Sequence, residues 1–216
     1  MKSNDIFILG AGGMAREVYQ IYKDLKKNKL IKGFIVDIEN NQIDNVYNVS
    51  VGSINSLTDN CLLIGGIGSP RRKNLIANLE AKKNKFDTLI HPSTIVGLNV
   101  KIGNGSIICA NTILTCDVSI GRHTIINVNC SVHHDSKIGD YVTIGPGSNI
   151  VGRVSIGDES FIGAGVTVIP GVKIGKAVYI GAGSIVTSDI PDNFIAYGMP
   201  AKPIRKLNKQ DWERLI

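Results

Sequence analysis

The chain has 216 residues, of which 43% are hydrophobic, and it carries 24 basic and 18 acidic side chains for a net charge of +6. This apolar content excludes a disordered chain and is enough to build a core in one or two domains. No apolar run approaches the roughly 18 residues of a membrane span, and residues 1–9 lack a signal-peptide pattern. We therefore expect a cytoplasmic protein without a membrane span.

Cysteines, histidines and basic residues exclude several classes of site. The four cysteines and four histidines are too scattered for a disulfide framework or a zinc knuckle, so we expect reduced thiols and no bound metal. The lysine and arginine clusters lack interleaved aromatic residues, which is typical of solvated helix faces rather than of a nucleic-acid interface. A basic protein also attracts small polyanions such as nucleotides and coenzyme A.

The first ninety residues alternate between strands and helices. A strand is predicted at Ile6–Leu9, and it runs into the G-x-G-x-x-A pattern of residues 10–15, ahead of a helical stretch at 15–27. Glycines at such a junction let the backbone approach a phosphate. Further strands are predicted at 31–36, 61–64 and 86–90, and a second helix at 70–83. The pattern predicts a small, Rossmann-like α/β domain over residues 1–92.

This domain suits a nucleotide-sugar diphosphate better than NAD, because it is too short to contain the second mononucleotide-binding half of a dehydrogenase. Asp37 comes directly after the second strand, 27 residues after Gly10, which is somewhat later than the roughly 20 residues expected for a ribose-binding acid. A purely structural glycine turn is the alternative interpretation. The residues predicted to contact the substrate are Gly10, Gly12, Gly13, Met14, Asp37, Gly68, Ser69, Arg72 and Asn127.

A six-residue repeat dominates the rest of the chain. A period of six is neither helical nor a simple alternation, but it fits a triangular solenoid in which each side takes one hexapeptide and each coil takes three. The repeated aliphatic residue fills the axis. This predicts a β-helix over residues 93–192, followed by a tail at 193–216 with a short helix capped by Asn208. The aliphatic positions are Val96, Ile102, Ile108, Leu114, Ile120, Ile126, Val132, Ile138, Ile144, Ile150, Ile156, Ile162, Val168, Ile174, Ile180 and Val186.

Three segments together resemble one family: Gly10 to Ala15, Ile90 to Ser93, and the run Tyr197 to Pro203. The chain is similar to the sugar O-acyltransferases of sialic-acid O-acetyltransferase type, and especially to their N-acetyltransferases of nucleotide-linked 4-amino-4,6-dideoxy sugars, as in bacillosamine pathways. The resemblance implies a left-handed parallel β-helix, a homotrimer with intersubunit active sites, and acetyl-CoA as co-substrate. The acceptor it implies is a UDP- or dTDP-linked amino sugar of bacterial surface-glycan biosynthesis.

The catalytic residues implied by the resemblance are His134 and Asp135, in a histidine-acid segment just before an Ile-Gly hexapeptide. A sugar amine must lose a proton as it attacks a thioester, and histidine is the usual base. Asp135 would orient the imidazole. His133 stands where the family often has Glu, which is a departure from the pattern. An exposed histidine without a role is the alternative interpretation of His134.

The 18-residue coil places Gly152 next to His134, where its N–H can face a developing oxyanion. The same spacing stacks the triplets 145–147, 163–165 and 181–183 into a bare strip for a pantetheine arm. His134 and this strip fall on different sides of the prism, so we expect a neighbouring subunit to complete each site. By the resemblance, the residues near acetyl-CoA are Thr143, Gly152, Ala164 and Ala182, with Lys202 or Arg205 near its phosphates.

Three other functions compete with sugar N-acetylation. The nearest is O-acetylation of sialic acid or another glycan hydroxyl. A γ-carbonic-anhydrase-like metalloenzyme would need a three-histidine zinc site, which the spacing of His123, His133 and His134 does not supply. A non-catalytic scaffold would leave the His134-Asp135 pair without a role.

Overall fold

The computed structural model describes residues 5–37, 44–208 and 210–212. Its first part contains a six-stranded sheet in the order β3-β4-β2-β1-β5-β6, in which β3 pairs antiparallel to β4 and the other pairs are parallel. The strands are β1 (Ile6–Leu9), β2 (Ile31–Val36), β3 (Asn45–Val46), β4 (Val49–Ser53), β5 (Leu62–Gly65) and β6 (Lys85–Phe86).

The helices α1 (Gly13–Asp24) and α2 (Arg72–Ala81) belong to two different cores. Alternate residues of β1 point to opposite sides of the sheet, so Ile8 packs with α1 whereas Leu9 packs with α2. Short 3₁₀ helices lie at Asn28–Leu30 and Ile54–Ser56. The predicted Rossmann-like α/β architecture is thus confirmed, although both helices are shorter than the apolar pattern suggested.

A three-sided parallel β-helix follows, and each strand pairs with the strand one coil, or 18 residues, away, as Ile107 does with Ile125. Face 1 consists of β7 (Leu89–Ile90), β10 (Ile107–Ile108), β13 (Ile125–Ile126), β16 (Thr143–Ile144), β19 (Phe161–Ile162) and β22 (Tyr179–Ile180). Face 2 consists of β8 (Ile95–Val96), β11 (Ile113–Leu114), β14 (Ser131–Val132), β17 (Asn149–Ile150), β20 (Thr167–Val168) and β23 (Ile185–Val186). Face 3 consists of β9 (Lys101–Ile102), β12 (Ser119–Ile120), β15 (Lys137–Ile138), β18 (Ser155–Ile156) and β21 (Lys173–Ile174).

The four-residue segments between strands form three corners. Corner 1/2, between faces 1 and 2, contains 109–112, 127–130, 145–148, 163–166 and 181–184. Corner 2/3 contains 97–100, 115–118, 133–136, 151–154 and 169–172. Corner 3/1 contains 103–106, 121–124, 139–142, 157–160 and 175–178.

The repeated aliphatic residues fill the axis of the β-helix, as predicted. From Ile108 to Val186 they form one buried cluster. At the beginning of the β-helix the axis is open, because no earlier coil covers it, and Val96 is 44% exposed. Buried hydroxyls reinforce the corners, since each donates a hydrogen bond of 2.7 to 3.0 Å to a carbonyl 15 residues further on. These hydroxyls belong to Ser106, Thr112, Thr124, Ser136, Ser148 and Ser160.

Two segments differ from the sequence-based expectation. The single strand expected at 86–90 is two strands in different sheets, because Phe86 pairs with β5 whereas β7 already pairs with β10 of the β-helix. The tail expected at 193–216 contributes a hairpin, β24 (Phe194–Gly198) and β25 (Ala201–Lys206), and β24 extends face 1 beside β22. Asn208 does cap the helical residues 210–212, since its side chain accepts from the Asp211 N–H at 3.0 Å.

The α/β domain sits on the early coils of face 1. Ile107 and Ile125 of that face, with Cys109 of corner 1/2, share a buried cluster with α1 and the sheet. Among the described residues, no helix is long and apolar enough to cross a membrane.

Candidate active site

The glycine-rich turn lies at the carboxyl ends of the neighbouring strands β1 and β5. From β1 the chain continues to β2 on one side of the sheet, whereas β5 and β6 lie on the other side, so the strand order reverses between β1 and β5. In open α/β sheets ligands bind in the crevice at this point. Gly10 has φ +103°, and a Cβ there would lie 3.0 Å from the Gly66 carbonyl oxygen of the adjacent loop. Only glycine therefore allows the two loops to approach each other at this point.

Gly12 and Gly13 begin α1 in open space, where an added Cβ would meet no atom within 4 Å. Gly12 caps the helix, and no acidic side chain lies in its first turn. Its free N–H groups therefore suit an anionic ligand. A cleft of about 420 Å³ adjoins the turn, and its lining residues are Ala11, Gly12, Arg16, Asn45, Val46 and Tyr47.

Two predicted substrate residues lie beside this turn. Met14 is half-buried and packs against the core shared by α1 and the sheet. Asp37 is exposed just after β2, next to residues 38–43, which are outside the described part of the chain. Asn127 lies further away on corner 1/2, where its amide donates to the Ile144 carbonyl at 2.8 Å.

Arg72 joins the two domains and does not face the cleft. It is 3% exposed, and its guanidinium donates to the carbonyls of Gly68, His123 and Val142 at 2.6 to 3.2 Å. It also donates to the Thr143 hydroxyl at 2.8 Å, which in turn donates to the Gly68 carbonyl at 2.7 Å. Burial lowers the pKa of Arg72 to about 9.

Three residues predicted to contact a ligand lie in this junction. Arg72 and Gly68 were expected to bind the substrate, and Thr143 was expected to bind acetyl-CoA. In the structure the polar groups of the two side chains and the Gly68 carbonyl are already bonded to one another between the domains. Ser69 lies beside them, and its hydroxyl accepts from the Arg71 N–H at 3.3 Å. The sequence pattern could not reveal the junction, because its partners lie 51 to 75 residues apart.

His134 and Asp135 lie on corner 2/3 and form the predicted pair. His134 Nδ1 is 2.8 Å from Asp135 Oδ2, and the two side chains are 47% and 56% exposed. Because a carboxylate only accepts, Nδ1 carries a proton, and in the neutral imidazole Nε2 keeps a lone pair. The pair therefore has the arrangement of an oriented general base on a half-exposed side chain.

Gly152 stacks directly on the imidazole, one coil after it. A Cβ at Gly152 would lie 2.5 Å from His134 Nε2. On corner 3/1 the equivalent N–H groups are capped by aspartates of the next coil, as Arg122 N–H is by Asp140 Oδ1 at 2.7 Å. On corner 2/3 the residue one coil after Gly152 is Pro170, which has no acceptor side chain. Within the described residues the Gly152 N–H has no hydrogen-bond acceptor.

The bare strip lies on corner 1/2. Gly147, Gly165 and Gly183 have φ between +66° and +70°, and an added Cβ on any of them would meet no atom within 4 Å. Ala164 and Ala182 lie one coil apart within this strip, and both are exposed. The structure thus provides a column of exposed backbone without bulky side chains.

Face 2 separates the strip from His134, because it lies between corners 1/2 and 2/3. One chain therefore does not bring the predicted base and the predicted acetyl-CoA strip together. His133 lies at this face, half-buried, and its Nε2 is 3.2 Å from the Ser131 hydroxyl. The side chains that face 2 turns outward from its strands carry no charge, and they are Ile95, Ile113, Ser131, Asn149, Thr167 and Ile185.

The predicted phosphate-binding cations lie on β25. Lys202 is exposed there. Arg205 makes a two-pronged contact with both carboxylate oxygens of Asp211, at 2.5 and 2.6 Å, and this contact raises its pKa. Lys202 is thus the more available of the two for an anionic ligand.

His123 has a structural role, so it is not available as a ligand for the three-histidine zinc site of the carbonic-anhydrase-like alternative. It is 1% exposed, stacks on Tyr141 at 5.1 Å, and its Nε2 is 3.1 Å from Glu80 Oε1. Burial lowers its pKa, against the effect of the Glu80 contact. The described residues contain no group of three His, Cys, Asp or Glu side chains placed to hold a metal ion.

Known families match both parts of the chain. The PglD N-terminal domain model matches residues 5–79, and the model for bacterial transferase hexapeptides (six repeats) matches residues 117–152 and 153–188. A search of curated protein sequences finds no match.

Similar solved structures extend over nearly the whole chain. PerB from Caulobacter crescentus, in complex with CoA and GDP-perosamine, is 30% identical with a TM-score of 0.82, covering 93% of this chain and 97% of its own. The chain belongs to the hexapeptide-repeat sugar acetyltransferases. The acetyltransferase domain of PglB from Neisseria gonorrhoeae, in complex with acetyl coenzyme A, is 28% identical with a TM-score of 0.82, and WeeI from Acinetobacter baumannii AYE is 28% identical with a TM-score of 0.84. Each covers 93% of this chain and 99% of its own.

As a member of these sugar acetyltransferases, the protein is an acetyl-CoA-dependent enzyme, and the resemblance inferred from its three sequence segments is confirmed. Its β-helix is accordingly the left-handed one of the hexapeptide transferases.

Proposed function

We propose that this sugar acetyltransferase transfers acetyl from acetyl-CoA to the amine of a nucleotide-linked 4-amino-4,6-dideoxy sugar, with His134 as the general base. The observation that carries the proposal is the contact between His134 Nδ1 and Asp135 Oδ2 at 2.8 Å, with Gly152 stacked on the same ring. Corner 2/3 thus combines an oriented base, His134, with the N–H donor of Gly152.

His134 moves one proton twice. Its Nε2 lone pair takes a proton from the sugar amine as the nitrogen bonds to the thioester carbon. The Gly152 N–H stabilises the negative charge that develops on the carbonyl oxygen. When the carbon–sulfur bond breaks, the imidazolium returns the proton to the departing thiolate. The products are the N-acetyl sugar and CoA with its thiol, and no covalent enzyme intermediate is required.

The active site of this proposal forms between two subunits of a homotrimer. Face 2 lies between the corner with His134 and the corner with the bare strip, and its outward strand residues are uncharged. Face 3 instead turns Lys101, Lys137 and Lys173 outward, as expected for a surface in water. Packing face 2 against a neighbouring chain buries an uncharged surface and brings the His134 corner of one chain to the Ala164–Ala182 strip of the next.

The glycine-rich turn of the α/β domain supplies the nucleotide site. Its open helix start and adjoining cleft suit a diphosphate, with Asp37 near the ribose. UDP and dTDP remain our predictions for the nucleotide. GDP joins the candidates because PerB was solved with GDP-perosamine.

A thiol-release assay tests the proposal directly. The purified protein is incubated with acetyl-CoA and with UDP-, dTDP- and GDP-linked 4-amino-4,6-dideoxy sugars, and free thiol and acetylated product are measured. We expect turnover of at least one linked amine and much slower turnover of the free sugar, because the α/β domain binds the nucleotide.

Two results would contradict the proposal. Equal turnover of the free and the nucleotide-linked amine would show that the enzyme does not use the nucleotide to bind its acceptor. Acetylation of sialic acid or another hydroxyl acceptor, with no amine turned over, would instead establish the O-acetyltransferase alternative. The matched control is the same panel with His134→Ala, which distinguishes catalysed transfer from spontaneous aminolysis of the thioester.

A further inference from the structure

The segment between β5 and α2 lies next to the glycine-rich turn, and we call its residues 66–71 the β5 loop. The Gly66 N–H donates to the Leu9 carbonyl at 2.8 Å, and a Cβ at Gly66 would lie 2.8 Å from the Cα of Ala15 in α1. The β5 loop therefore packs directly against the end of β1 and the start of α1. The nucleotide cleft is on the other side of β1, where residues 45–47 of the β3–β4 hairpin line it.

The backbone of the β5 loop has unused hydrogen-bond donors. Within the described residues the N–H groups of Ile67, Gly68 and Ser69 have no acceptor. They follow the carboxyl end of β5, beside the point where the strand order reverses and where ligands of open α/β sheets bind. A diphosphate at the glycine turn would therefore have the β5 loop as the second wall of its site.

The β5 loop is attached to the β-helix through the Gly68 carbonyl. This oxygen accepts from the Thr143 hydroxyl at 2.7 Å and from Arg72 Nη1 at 3.1 Å. Arg72 Nη1 also donates to Thr143 Oγ1 at 2.8 Å, so the three atoms form a closed triangle. We call this triangle the loop clamp. It connects a loop of the α/β domain to a strand of the β-helix by hydrogen bonds to a single backbone oxygen.

Thr143 is a fixed anchor for the loop clamp. Its N–H donates to the Ser160 carbonyl at 3.0 Å in the ladder of the β-helix, and the residue is only 3% exposed. Its strand, β16, leads directly into residues 145–147, the first triplet of the bare strip. The loop clamp therefore connects the wall of the nucleotide site to the coil at which the proposed acetyl-CoA strip begins.

We propose that Thr143 is a positioning residue for the nucleotide sugar, an inference that rests on the proposed function. Together with Arg72 it holds the Gly68 carbonyl and thereby fixes the free N–H groups of the β5 loop relative to the glycine turn. Because its hydroxyl belongs to the β-helix, it also fixes where the linked sugar amine lies relative to the acetyl donor. Thr143 acts through Gly68 and touches neither substrate, unlike the acetyl-CoA contact that the sequence predicted.

Thr143→Val tests the loop clamp, because valine keeps the shape of threonine but cannot donate to the Gly68 carbonyl. We expect KM for the nucleotide sugar to rise roughly tenfold, and so should the Kd of UDP, dTDP or GDP measured by isothermal titration calorimetry. KM for acetyl-CoA should change less than twofold. Thr143→Ser keeps the hydroxyl and should restore both nucleotide constants to within about threefold of the wild type.

The matched control is Thr124→Val. Thr124 is also buried and also donates a 2.7 Å hydrogen bond to a glycine carbonyl, but its acceptor is Gly139 on the β-helix itself. Thermal melting compares the stability that each variant loses. We expect Thr124→Val to leave the nucleotide constants unchanged. Equal constants for Thr124→Val and Thr143→Val would overturn the proposal, because the Thr143 hydroxyl would then have a structural role only.

Two further results would be decisive. A rise in KM for acetyl-CoA alone would overturn the loop clamp by assigning Thr143 to the acetyl-CoA site. If Thr143→Val does not fold, Arg72→Lys offers three donors to the four acceptors of Arg72 and should weaken diphosphate binding, whereas an unchanged Kd would overturn the proposal. The Kd measurement needs no turnover. Weaker diphosphate binding by Thr143→Val would therefore support the loop clamp even if no linked amine were acetylated, a result that would overturn the proposed function alone.

Discussion

The guanidinium of Arg72 donates a 2.8 Å hydrogen bond to the hydroxyl of Thr143, a residue 71 positions further along the chain. Arg72 begins α2 of the α/β domain, whereas Thr143 lies in β16 of the β-helix. No carboxylate takes part in this contact, and the remaining acceptors of the guanidinium are backbone carbonyls. The two domains are therefore held together by a buried polar cluster.

Arg72→Met should destabilise the protein by about 3 to 5 kcal/mol, because it leaves the buried carbonyls of His123 and Val142, the Gly68 carbonyl and the Thr143 hydroxyl with fewer partners. Urea unfolding followed by circular dichroism measures this change. The exposed Lys82→Gln serves as control and should alter the free energy of unfolding by less than about 0.5 kcal/mol. A change within 1 kcal/mol for Arg72→Met would show that the junction is not a source of stability.

His134→Ala should lower kcat by about 10² to 10⁴, the usual effect of removing a general base. His133→Ala should lower it less, because that ring contacts Ser131 at face 2 and not Asp135. Asp135→Asn should fall between the two. Steady-state kinetics on proteins of unchanged oligomeric state provides the measurement. A folded His134→Ala enzyme with near-wild-type kcat would contradict the assignment of His134 as the general base.

Gly152→Ala should lower kcat by roughly 100-fold, since the new Cβ would lie 2.5 Å from His134 Nε2 and displace the ring. In a His134→Ala background the same substitution should have much less effect, because no imidazole remains to be moved. This double-mutant cycle separates displacement of the base from damage to the coil. Equal effects in the two backgrounds would show that Gly152 does not act through His134.

Ile113→Glu should convert the proposed trimer to monomers and reduce activity at least 100-fold, because it places a charge on the uncharged face 2, where Ile113 is 40% exposed. Sedimentation velocity and the thiol-release assay give the two readouts. Lys137→Glu changes charge on face 3 and should leave assembly and activity intact. An Ile113→Glu protein that remains trimeric would place the subunit interface elsewhere.

The free energy of unfolding should fall at alkaline pH because of the buried Tyr22 hydroxyl. Its hydroxyl donates to Asp87 Oδ2 at 2.7 Å, and burial, followed by this contact, raises its pKa above the ordinary value of 10.0. A raised pKa in the folded state means that the stability present below pH 10 is lost as the pH rises above it, by about 1.4 kcal/mol per unit.

Tyr22→Phe lacks this titration, so its free energy of unfolding should fall less steeply between pH 10 and 11 than that of the wild type. Comparing the slopes removes the contributions of the other tyrosines. Parallel curves for the two proteins would contradict the prediction.

The amino-acid sequence by itself determined the β-helix and the position of Gly152 one coil after His134. Both depend on short-range regularity, since an aliphatic residue at every sixth position sets the coil, and the fixed 18-residue coil places Gly152 on His134 without further information. The glycine turn could also be predicted from the sequence, because the strand, the glycines and the helix are consecutive in the chain.

Only the tertiary structure decided which polar residues are available to a ligand. Arg72 and Thr143 resembled binding residues in the sequence, yet the docking of the α/β domain on face 1 buries both of them together. The same docking placed Glu17 and Asp24 beside Val128, which no local pattern indicates. Such contacts depend on how two preformed surfaces fit, and that fit is set by the whole shape of each domain rather than by the spacing of residues along the chain.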